Sequence, residues 1–255
     1  MNISLLTNRD LASHIVLSRL IGLLSGHRLS IFISEKVGRD QSLPQPLMAL
    51  AEFEKQLIAA SPHSFDSLAR QAGCRLQGFA DIDNRVNGTQ GIERIKATEP
   101  DVILSIRFGL IIREPIIAIP KYGVINLHSG LLPDYRGVMA SFRAMVNGDA
   151  EIGSTLHYIQ DGGVDTGDIL SIARAPLNPE QSYLLNVLSL YAAGCRQMAF
   201  AVQQLDSDIS LRAQPQQGQA NYCSFPTDLE LEEFFALGYQ LFNPAEIEQI
   251  RALQA

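Results

Sequence analysis

The amino-acid sequence predicts an α/β protein, with a doubly wound, mostly parallel, Rossmann-like sheet and a short C-terminal extension. Strand-like apolar runs alternate with helical periodicity through the first half of the 255 residues. Two of those runs, DVILSI and GVINLH, are typical of parallel strands that are buried on both faces. Hydrophobic residues make up 46% of the chain and charged residues 18%, which is enough to build a large core.

The first half of the chain supplies the parallel strands and their crossover helices. NISLL predicts a strand that ends at the turn TNRD, and a helix follows from Leu11 to about Leu24, capped by Asn8 or Asp10. After it we expect these segments, in chain order: a strand in GHRLSIFIS, a loop in KVGRDQSLPQP, helix over 46–73 broken at SPHS, a strand in RLQGFA, a helix in GIERIKATEP, and the strands DVILSI and GVINLH.

The pattern changes after Gly148. GSTLHYI and GDILSIARAPL predict two antiparallel strands at the edge of the sheet, and His157 is expected to face a strand partner or solvent. One long helix is predicted from Ser182 to Leu205, then a polar connector, QPQQGQANY, and two short acidic helices. We therefore predict a catalytic domain over residues 1–205 and an extension over 206–255.

Composition narrows the class of function. The net charge of −7 and the pI of about 5.2 disfavour binding to nucleic acid. Three widely spaced cysteines, Cys74, Cys195 and Cys223, indicate reduced packing residues rather than a disulfide or metal framework. The amino terminus does not resemble a signal peptide and no long uninterrupted apolar run occurs, so a cytoplasmic protein without membrane contact or metal is expected.

A candidate reaction centre follows the strand GVINLH. Asn126 and His128 lie two residues apart at its carboxyl end, on one face, where ligands bind in open α/β sheets. The glycine-rich loop DGGVDTGD supplies Asp165, a carboxylate that could bond an imidazole. An amide N–H and an imidazolium can stabilise an oxyanion, which suits attack on a carbonyl. An Asn-x-His pair taken alone is more often a turn cap and a surface histidine.

NLHSGLLPDYRG, followed about two dozen residues later by DGGVDTGDIL, resembles the formyltransferases that use 10-formyltetrahydrofolate. This family includes glycinamide ribonucleotide formyltransferase, the catalytic domain of methionyl-tRNA formyltransferase, and sugar-nucleotide and hydroxyornithine N-formyltransferases. The resemblance implies that Asn126, His128 and Asp165 are catalytic. It also implies a folate pocket and an acceptor pocket. The folate residues are Phe108, Gly109, Leu110, Ile112, Asp161, Gly162, Gly163 and Val164. The acceptor residues are Asn8, Arg9, Ser129, Gly130, Tyr135 and Arg136.

Departures from the family pattern bear on the acceptor. The first loop, LLTNRDLAS, has no glycine, so it is a poor cradle for the phosphate of glycinamide ribonucleotide. The tRNA enzymes carry a further basic domain, whereas the tail here is acidic. The expected partners are a reduced folate and a small amine, first a nucleotide-linked amino sugar, then N-hydroxyornithine, then glycinamide ribonucleotide. A formyltetrahydrofolate hydrolase, a non-catalytic folate-binding protein and a homodimer stay open, and Tyr135 and Arg136 could simply shape a turn.

Overall fold

The computed structural model describes residues 1–35 and 43–254. Seven strands in this part of the chain form one sheet, in the order β3-β2-β1-β4-β5-β7-β8. The strands are β1 (Asn2–Asn8), β2 (Arg28–Ser34), β3 (Leu76–Gly78), β4 (Val102–Ile106), β5 (Val124–His128), β6 (Arg136–Gly137), β7 (Glu151–Ile159), β8 (Ile169–Pro176) and β9 (Tyr222–Cys223). The first five are parallel, β7 runs antiparallel to β5 and β8, and β6 pairs with β9 apart from the main sheet.

Helices connect the parallel strands and cover both faces of the sheet. They are α1 (Leu11–Leu23), α2 (Gln45–Ala59), α3 (Phe65–Gln71), α4 (Thr89–Lys96), α5 (Glu114–Ile117), α6 (Ala140–Asn147), α7 (Tyr183–Ser189), α8 (Tyr191–Asp206), α9 (Asp228–Ala236) and α10 (Ile247–Gln254). The predicted fold class is confirmed, including the antiparallel pair at the edge and the helix break at SPHS. None of the helices in the described residues is long and apolar enough to cross a membrane.

Two hydrophobic clusters show why the strands are apolar on both faces. Alternate residues of β1, such as Leu5 and Leu6, belong to different clusters. The larger cluster lies between the sheet and the helices α1, α2, α3, α7, α8 and α10. The smaller one packs the other face against residues of α4, α5 and the segment around Phe79. Helices therefore cover both faces of the sheet, and the carboxyl ends of the parallel strands stay accessible. We call this end of the sheet the open edge.

Three boundary predictions need correction. The long helix expected from Ser182 to Leu205 is two helices, because the Ser189 hydroxyl donates to the Asn186 carbonyl at 2.7 Å and Leu190 N–H bonds only three residues back. The first strand continues to Asn8, through residues expected in a turn. The strand predicted in RLQGFA is shorter, and a 3₁₀ turn replaces its end. The loop predicted in KVGRDQSLPQP lies largely outside the described residues.

The predicted extension packs on the rest of the chain. Phe234 of α9 stacks on Phe142 of α6 with ring centroids 4.6 Å apart, and Ile250 of α10 is fully buried. The Glu246 carboxylate accepts a hydrogen bond from the backbone N–H of Ser182 at 2.8 Å, where α7 begins. These contacts join residues 206–254 to the same hydrophobic core as the strands. The division at residue 205 stays a prediction.

Candidate active site

The pairing of β5 with β7 brings together the polar side chains at the open edge of the sheet. Asn126 lies directly opposite His157 in the register of this antiparallel pair, and His128 lies opposite Thr155. On its other side β7 pairs with β8, where Leu156 faces Ser171 and His157 faces Ile169, so the extra residue of this bulge is Leu170 of β8. His157, expected to face a strand partner or solvent, is therefore buried beside Asn126.

Asp165 enters this group from the loop that joins β7 to β8. Its backbone is left-handed, with φ of +54°, and one carboxylate oxygen accepts the backbone N–H of Gly137 at 2.8 Å. Oδ2 lies 3.4 Å from His128 Nδ1, and Oδ1 lies 3.4 Å from His157 Nε2. The carboxylate thus lies between two imidazoles, and the structure brings Asn126, His128 and Asp165 together as expected from the sequence.

The His128 ring is held by the loop that follows β5. Nε2 lies 2.7 Å from the carbonyl oxygen of Tyr135, so this nitrogen carries a proton and donates it. Gly130 is buried beneath the ring, where an added Cβ would lie 2.5 Å from Nε2. Glycine at this position therefore follows from the packing of His128, and Gly130 does not face the open edge.

His157 orients the amide of Asn126. Nδ1 of His157 lies 2.8 Å from the Tyr158 carbonyl oxygen and donates to it, which leaves Nε2 as an acceptor in the neutral ring. Asn126 Nδ2 lies 3.0 Å from that nitrogen and donates to it. A second, longer contact of 3.4 Å joins the same amide nitrogen to Asp165 Oδ1.

The surroundings of Asp165 favour its charged form. Burial alone would raise the pKa of this carboxyl, but attraction to His128, hydrogen bonding and attraction to His157, and the Gly137 N–H lower the pKa to about 2. The group is therefore a carboxylate throughout the neutral range. A carboxylate in this place can stabilise an imidazolium and accept a proton from a substrate.

The hydrogen bonds around Asp165 are of two kinds, short bonds that fix each side chain and long contacts that a substrate can replace. Each member has one short bond to its surroundings: His128 to Tyr135, His157 to Tyr158, and Asp165 to Gly137, at 2.7–2.8 Å. The contacts to Asp165 from His128, His157 and Asn126 are all 3.4 Å. Because hydrogen bonds of that length are weak, a substrate oxygen can replace them without breaking the short bonds. The geometry suits the stabilisation of an oxyanion.

The segment predicted to line the folate pocket follows β4. Phe108 and Leu110 are half-buried and Ile112 is buried, and all three belong to or pack on the smaller hydrophobic cluster. The Phe108 ring meets Phe79 edge-on at 6.0 Å, and the Gly109 N–H donates to Ser34 Oγ at 3.0 Å. The segment therefore presents apolar side chains beside Asn126, because β4 and β5 are neighbours.

The second predicted folate segment is the exposed turn 161–164. The Asp161 carboxylate accepts from the Gly163 N–H at 2.7 Å and from Thr166 Oγ1 at 2.9 Å, so the side chain shapes its own turn. An added Cβ at Gly163 would lie 2.6 Å from Thr166 Oγ1, whereas one at Gly162 would lie 3.5 Å from Arg113 Nη1. The turn therefore adjoins the end of the first folate segment, and Val164 is half-buried between this turn and Asp165.

The predicted acceptor residues separate into exposed and engaged groups. Arg9 is exposed, forms an ion pair with Glu35 at 3.2 Å and lies over the Phe65 ring. Asn8 is 8% exposed and its side-chain oxygen accepts from Ser34 Oγ at 3.3 Å. Ser129 lies beside the buried hydroxyl of Tyr191 and lowers the pKa of that hydroxyl, against the larger effect of burial, which raises it. Of these three side chains, only that of Arg9 is both charged and exposed.

Tyr135 and Arg136 have protein partners. The Tyr135 hydroxyl donates to Asp149 at 2.5 Å, and burial together with that carboxylate raises the pKa of Tyr135 to about 12. Arg136 donates from Nε and Nη2 to the side-chain oxygen of Gln216, at 3.1 and 2.7 Å. Both side chains hold the loop after β5 in shape, and their contact with an acceptor stays a prediction.

A second polar group lies at the carboxyl ends of β1 and β4. Arg107, directly after β4 with φ of +55°, donates from Nε to Asp10 Oδ2 at 2.7 Å and from Nη1 to the Tyr191 hydroxyl at 3.4 Å. Asp10 also caps α1 by accepting the Ser13 N–H at 2.8 Å. Glu54 of α2 accepts from the Leu11 N–H nearby. We call Asp10, Arg107 and Glu54 the Asp10 cluster.

Sequence similarity to known proteins covers the candidate active site. Residues 61–184 match the family described as Formyl transferase, and the match contains Asn126, His128 and Asp165. A methionyl-tRNA formyltransferase from Chlamydia caviae is 36% identical over 163 residues, 64% of this chain and 48% of that protein. The chain spans about half the length of the curated relatives it matches.

Solved structures share the fold along most of the chain. An N-formyltransferase from Helicobacter canadensis, solved with folinic acid and dTDP-3-aminofucose, has a TM-score of 0.58 at 18% identity and covers 93% of this chain and 80% of its own. A glycinamide ribonucleotide transformylase from Symbiobacterium toebii has a TM-score of 0.60 at 17% identity, covering 84% of this chain and 93% of its own. The Rossmann-like formyltransferase fold is thus confirmed.

Sequence reasoning missed three residues of this region: His157, Gln216 and Arg107. The sequence pattern predicts pairing of GSTLHYI only with GDILSIARAPL. A pairing of GSTLHYI with GVINLH would have placed His157 beside Asn126 through its register. Gln216 lies in a run of glutamines with no periodic signal, and Arg107 follows a strand as many surface arginines do. In the part of the chain that the structure describes, no group of three or more His, Cys, Asp and Glu side chains could hold a metal ion.

Proposed function

We propose that this protein transfers a formyl group from 10-formyltetrahydrofolate to the amine of a small molecule, a nucleotide-linked amino sugar first among the candidates. The observation that carries the proposal is the convergence of Asn126, His128 and Asp165 at the open edge of the sheet, within the residues that match the family. The Helicobacter canadensis N-formyltransferase, solved with a folate and an amino-sugar nucleotide, supports both substrates.

The residues present fit a reduced folate. Phe108, Leu110 and Ile112 offer an apolar wall for a flat ring beside Asn126, and the turn 161–164 adjoins it with glycines that let the backbone approach closely. The folate supplies the formyl group when bound. Its carbonyl oxygen would then lie within reach of Asn126 Nδ2 and the His128 ring.

In the proposed mechanism each side chain has one task. Asn126 and His128 exchange their long contacts with Asp165 for hydrogen bonds to the formyl oxygen, whose negative charge grows as the amine attacks. Each such donor contributes roughly 10²- to 10³-fold to the rate. Asp165, a carboxylate because its pKa is about 2, can stabilise the imidazolium form of His128 and accepts the proton that the amine loses, directly or through water. The same proton can pass to the folate nitrogen, which would depart as tetrahydrofolate when its bond to the formyl carbon breaks. Proton transfer contributes roughly 10²- to 10⁴-fold.

The Asp10 cluster disfavours glycinamide ribonucleotide as acceptor. A phosphate at the first loop would use the N-terminal amides of α1, but Asp10 and Glu54 already accept hydrogen bonds from Ser13 and Leu11 there. The Asp10 side chain therefore already caps the helix end at which a phosphate would bind. A second candidate, methionyl-tRNA, is favoured by the curated relatives of that name and disfavoured by the acidic composition of this chain.

An acceptor screen tests the proposal. The purified protein is incubated with 10-formyltetrahydrofolate and, in separate reactions, dTDP-3-aminofucose, N-hydroxyornithine, glycinamide ribonucleotide or methionyl-tRNA, and products are identified by mass. We expect tetrahydrofolate to appear only when an amine is added, with formylated amino sugar as the product. Release without any amine would indicate a hydrolase, and folate binding without release would indicate a non-catalytic relative. Either result would overturn the proposed function.

A further inference from the structure

The polar connector between α8 and α9 crosses the candidate active site. Gln214 forms an antiparallel bridge with Ile169 at the start of β8, and Tyr222 and Cys223 pair with Arg136 and Gly137 through β9 and β6. Gly137 has φ of +96°, and an added Cβ there would lie 2.1 Å from the Cys223 carbonyl oxygen. The connector therefore packs against both the loop that carries Asp165 and the loop that follows His128.

Gln216 links these two loops through one side chain. Its Nε2 donates to the carbonyl oxygens of Asp165 and Gly167, at 2.7 and 2.8 Å. Its Oε1 accepts both N–H groups of Arg136, at 3.1 and 2.7 Å. Both amide hydrogens and the amide oxygen are thus used, and the partners fix which end of the amide is nitrogen. The next residue, Gln217, is exposed.

The backbone of Asp165 needs such support. A residue other than glycine with positive φ is strained, by roughly 1–3 kcal/mol, and persists where the surroundings hold it. Without a partner for its carbonyl, the peptide at Asp165 could return to the right-handed region and take the carboxylate with it. The three contacts of 3.4 Å to His128, His157 and Asn126 are already at the limit of hydrogen bonding, so a small displacement would break them.

We infer that Gln216 is a positioning residue for formyl transfer: together with Arg136 it fixes Asp165 where its carboxylate meets His128, His157 and Asn126. This inference rests on the proposed function for its kinetic consequence, but not for its structural one. It assigns part of the active site to the connector, which lies outside the residues that match the family. Gln216 acts through Asp165 and has no contact with substrate.

Two substitutions at Gln216 and two at Gln217 test the inference. Gln216→Glu keeps the size of the side chain and the acceptor for Arg136, but places a carboxylate oxygen against two carbonyl oxygens. Gln216→Ala removes all four hydrogen bonds. Gln217→Glu and Gln217→Ala make the same changes one residue along, on an exposed side chain, and serve as matched controls. If Gln216→Ala lost its cooperative unfolding transition, the comparison of Gln216→Glu with Gln217→Glu would carry the test.

The first readout needs no substrate. The chain has five histidines, and ¹⁵N labelling of their rings gives resolved signals that single His→Asn variants can assign. We expect the His128 and His157 signals to move in both Gln216 variants, because the carboxylate leaves the rings, while the His14 signal stays in place. The Gln217 variants should keep the wild-type spectrum. Wild-type His128 and His157 signals in the Gln216 variants would overturn the inference.

The second readout is kinetic and uses 10-formyltetrahydrofolate with the best amine of the acceptor screen. We expect kcat to fall about 10- to 100-fold in both Gln216 variants, with the KM of the folate unchanged, because misplacement of a catalytic group costs rate rather than binding. A rise in KM alone would overturn the positioning role. If the wild-type protein formylates no amine, the proposed function fails, and the histidine spectra still decide whether Gln216 holds Asp165.

Discussion

Two carboxylates at the open edge of the sheet each lie beside basic side chains, and the two arrangements differ in kind. Asp165 meets two imidazoles at 3.4 Å, whereas Asp10 meets the guanidinium of Arg107 at 2.7 Å. Both groups include a residue with a left-handed backbone, Asp165 at φ +54° and Arg107 at φ +55°. The open edge therefore carries a carboxylate with two histidines at long distance and a carboxylate in a short ion pair with an arginine.

The difference shows which group is suited to chemistry. Imidazole gains and loses a proton near neutral pH, whereas a guanidinium in proteins stays charged. Burial alone would lower the pKa of Arg107, but attraction to Asp10, Tyr191, Tyr183 and Glu54 together outweighs burial and raises that pKa well above its usual range. The Asp10 cluster therefore holds α1, α2 and α8 against the strand ends. The Asp165 group alone can move protons and charge toward a substrate.

The largest effect is expected from His128→Ala. Turnover should fall by at least roughly 10²-fold, because a donor to the oxyanion is lost. The protein should still fold, at a lower melting temperature, because a buried ring and its bond to the Tyr135 carbonyl are removed. The measurement is consumption of 10-formyltetrahydrofolate with an amine, with the exposed His63→Asn as control. A His128 variant with near-normal turnover would remove this residue from the mechanism.

The catalytic residues could be predicted from the sequence, whereas the residues that hold them in place could not. The run GVINLH and the downstream DGGVDTGD indicate Asn126, His128 and Asp165, because strand ends and glycine turns are local features. His157 was missed because its place beside Asn126 depends on the register of β7 with β5, which is a contact between distant parts of the chain. The partners of Gln216 and Arg107 are 49 or more positions away in the chain, and no local pattern specifies such contacts.

Arg107→Met tests whether the Asp10 cluster stabilises the fold independently of the group around Asp165. The substitution leaves Asp10 without its guanidinium while keeping most of the apolar volume, and unfolding free energy should drop by about 2 kcal/mol. The value is below that of a fully buried pair because the Arg107 side chain is 31% exposed. Urea unfolding measures it, with Arg85→Met as the exposed control. The His128 and His157 ring signals should stay at their wild-type positions; movement of both would show that the two groups are coupled.

His157→Phe tests the orientation of Asn126. The ring keeps its volume but loses the nitrogen that accepts from Asn126 Nδ2, so the amide is free to turn. We expect kcat to fall about 10-fold, less than for His128→Ala, because Asn126 remains and only its orientation is lost. The KM of the folate should not change. Steady-state kinetics at fixed pH measures both parameters, and an unchanged kcat would show that Asn126 is oriented without His157.

The smallest effect concerns Glu54, the third member of the Asp10 cluster. Burial and the nearby charge of Asp10 raise the pKa of Glu54 to about 7, against the opposing influence of Arg107 and the Leu11 N–H. The folded protein therefore binds a proton that the unfolded chain releases at lower pH. Stability from this group is present below the ordinary carboxyl range and is lost as pH rises through about 7.

Glu54→Gln mimics the protonated side chain at every pH, and Glu52→Gln, on the exposed side of the same helix, is its matched control. At pH 4, below the ordinary carboxyl pKa, we expect Glu54→Gln to unfold at nearly the same urea concentration as wild type, since the side chain is then mostly neutral in both the folded and the unfolded protein. At pH 8 it should be more stable by about 1 kcal/mol, a value reduced from the full pKa difference because Glu54 is only half-buried. Parallel pH dependence in wild type, Glu54→Gln and Glu52→Gln would show that Glu54 is charged throughout. In that case Arg107 would balance two carboxylates, and the Asp10 cluster would be an ion triad rather than a pair with a neutral neighbour.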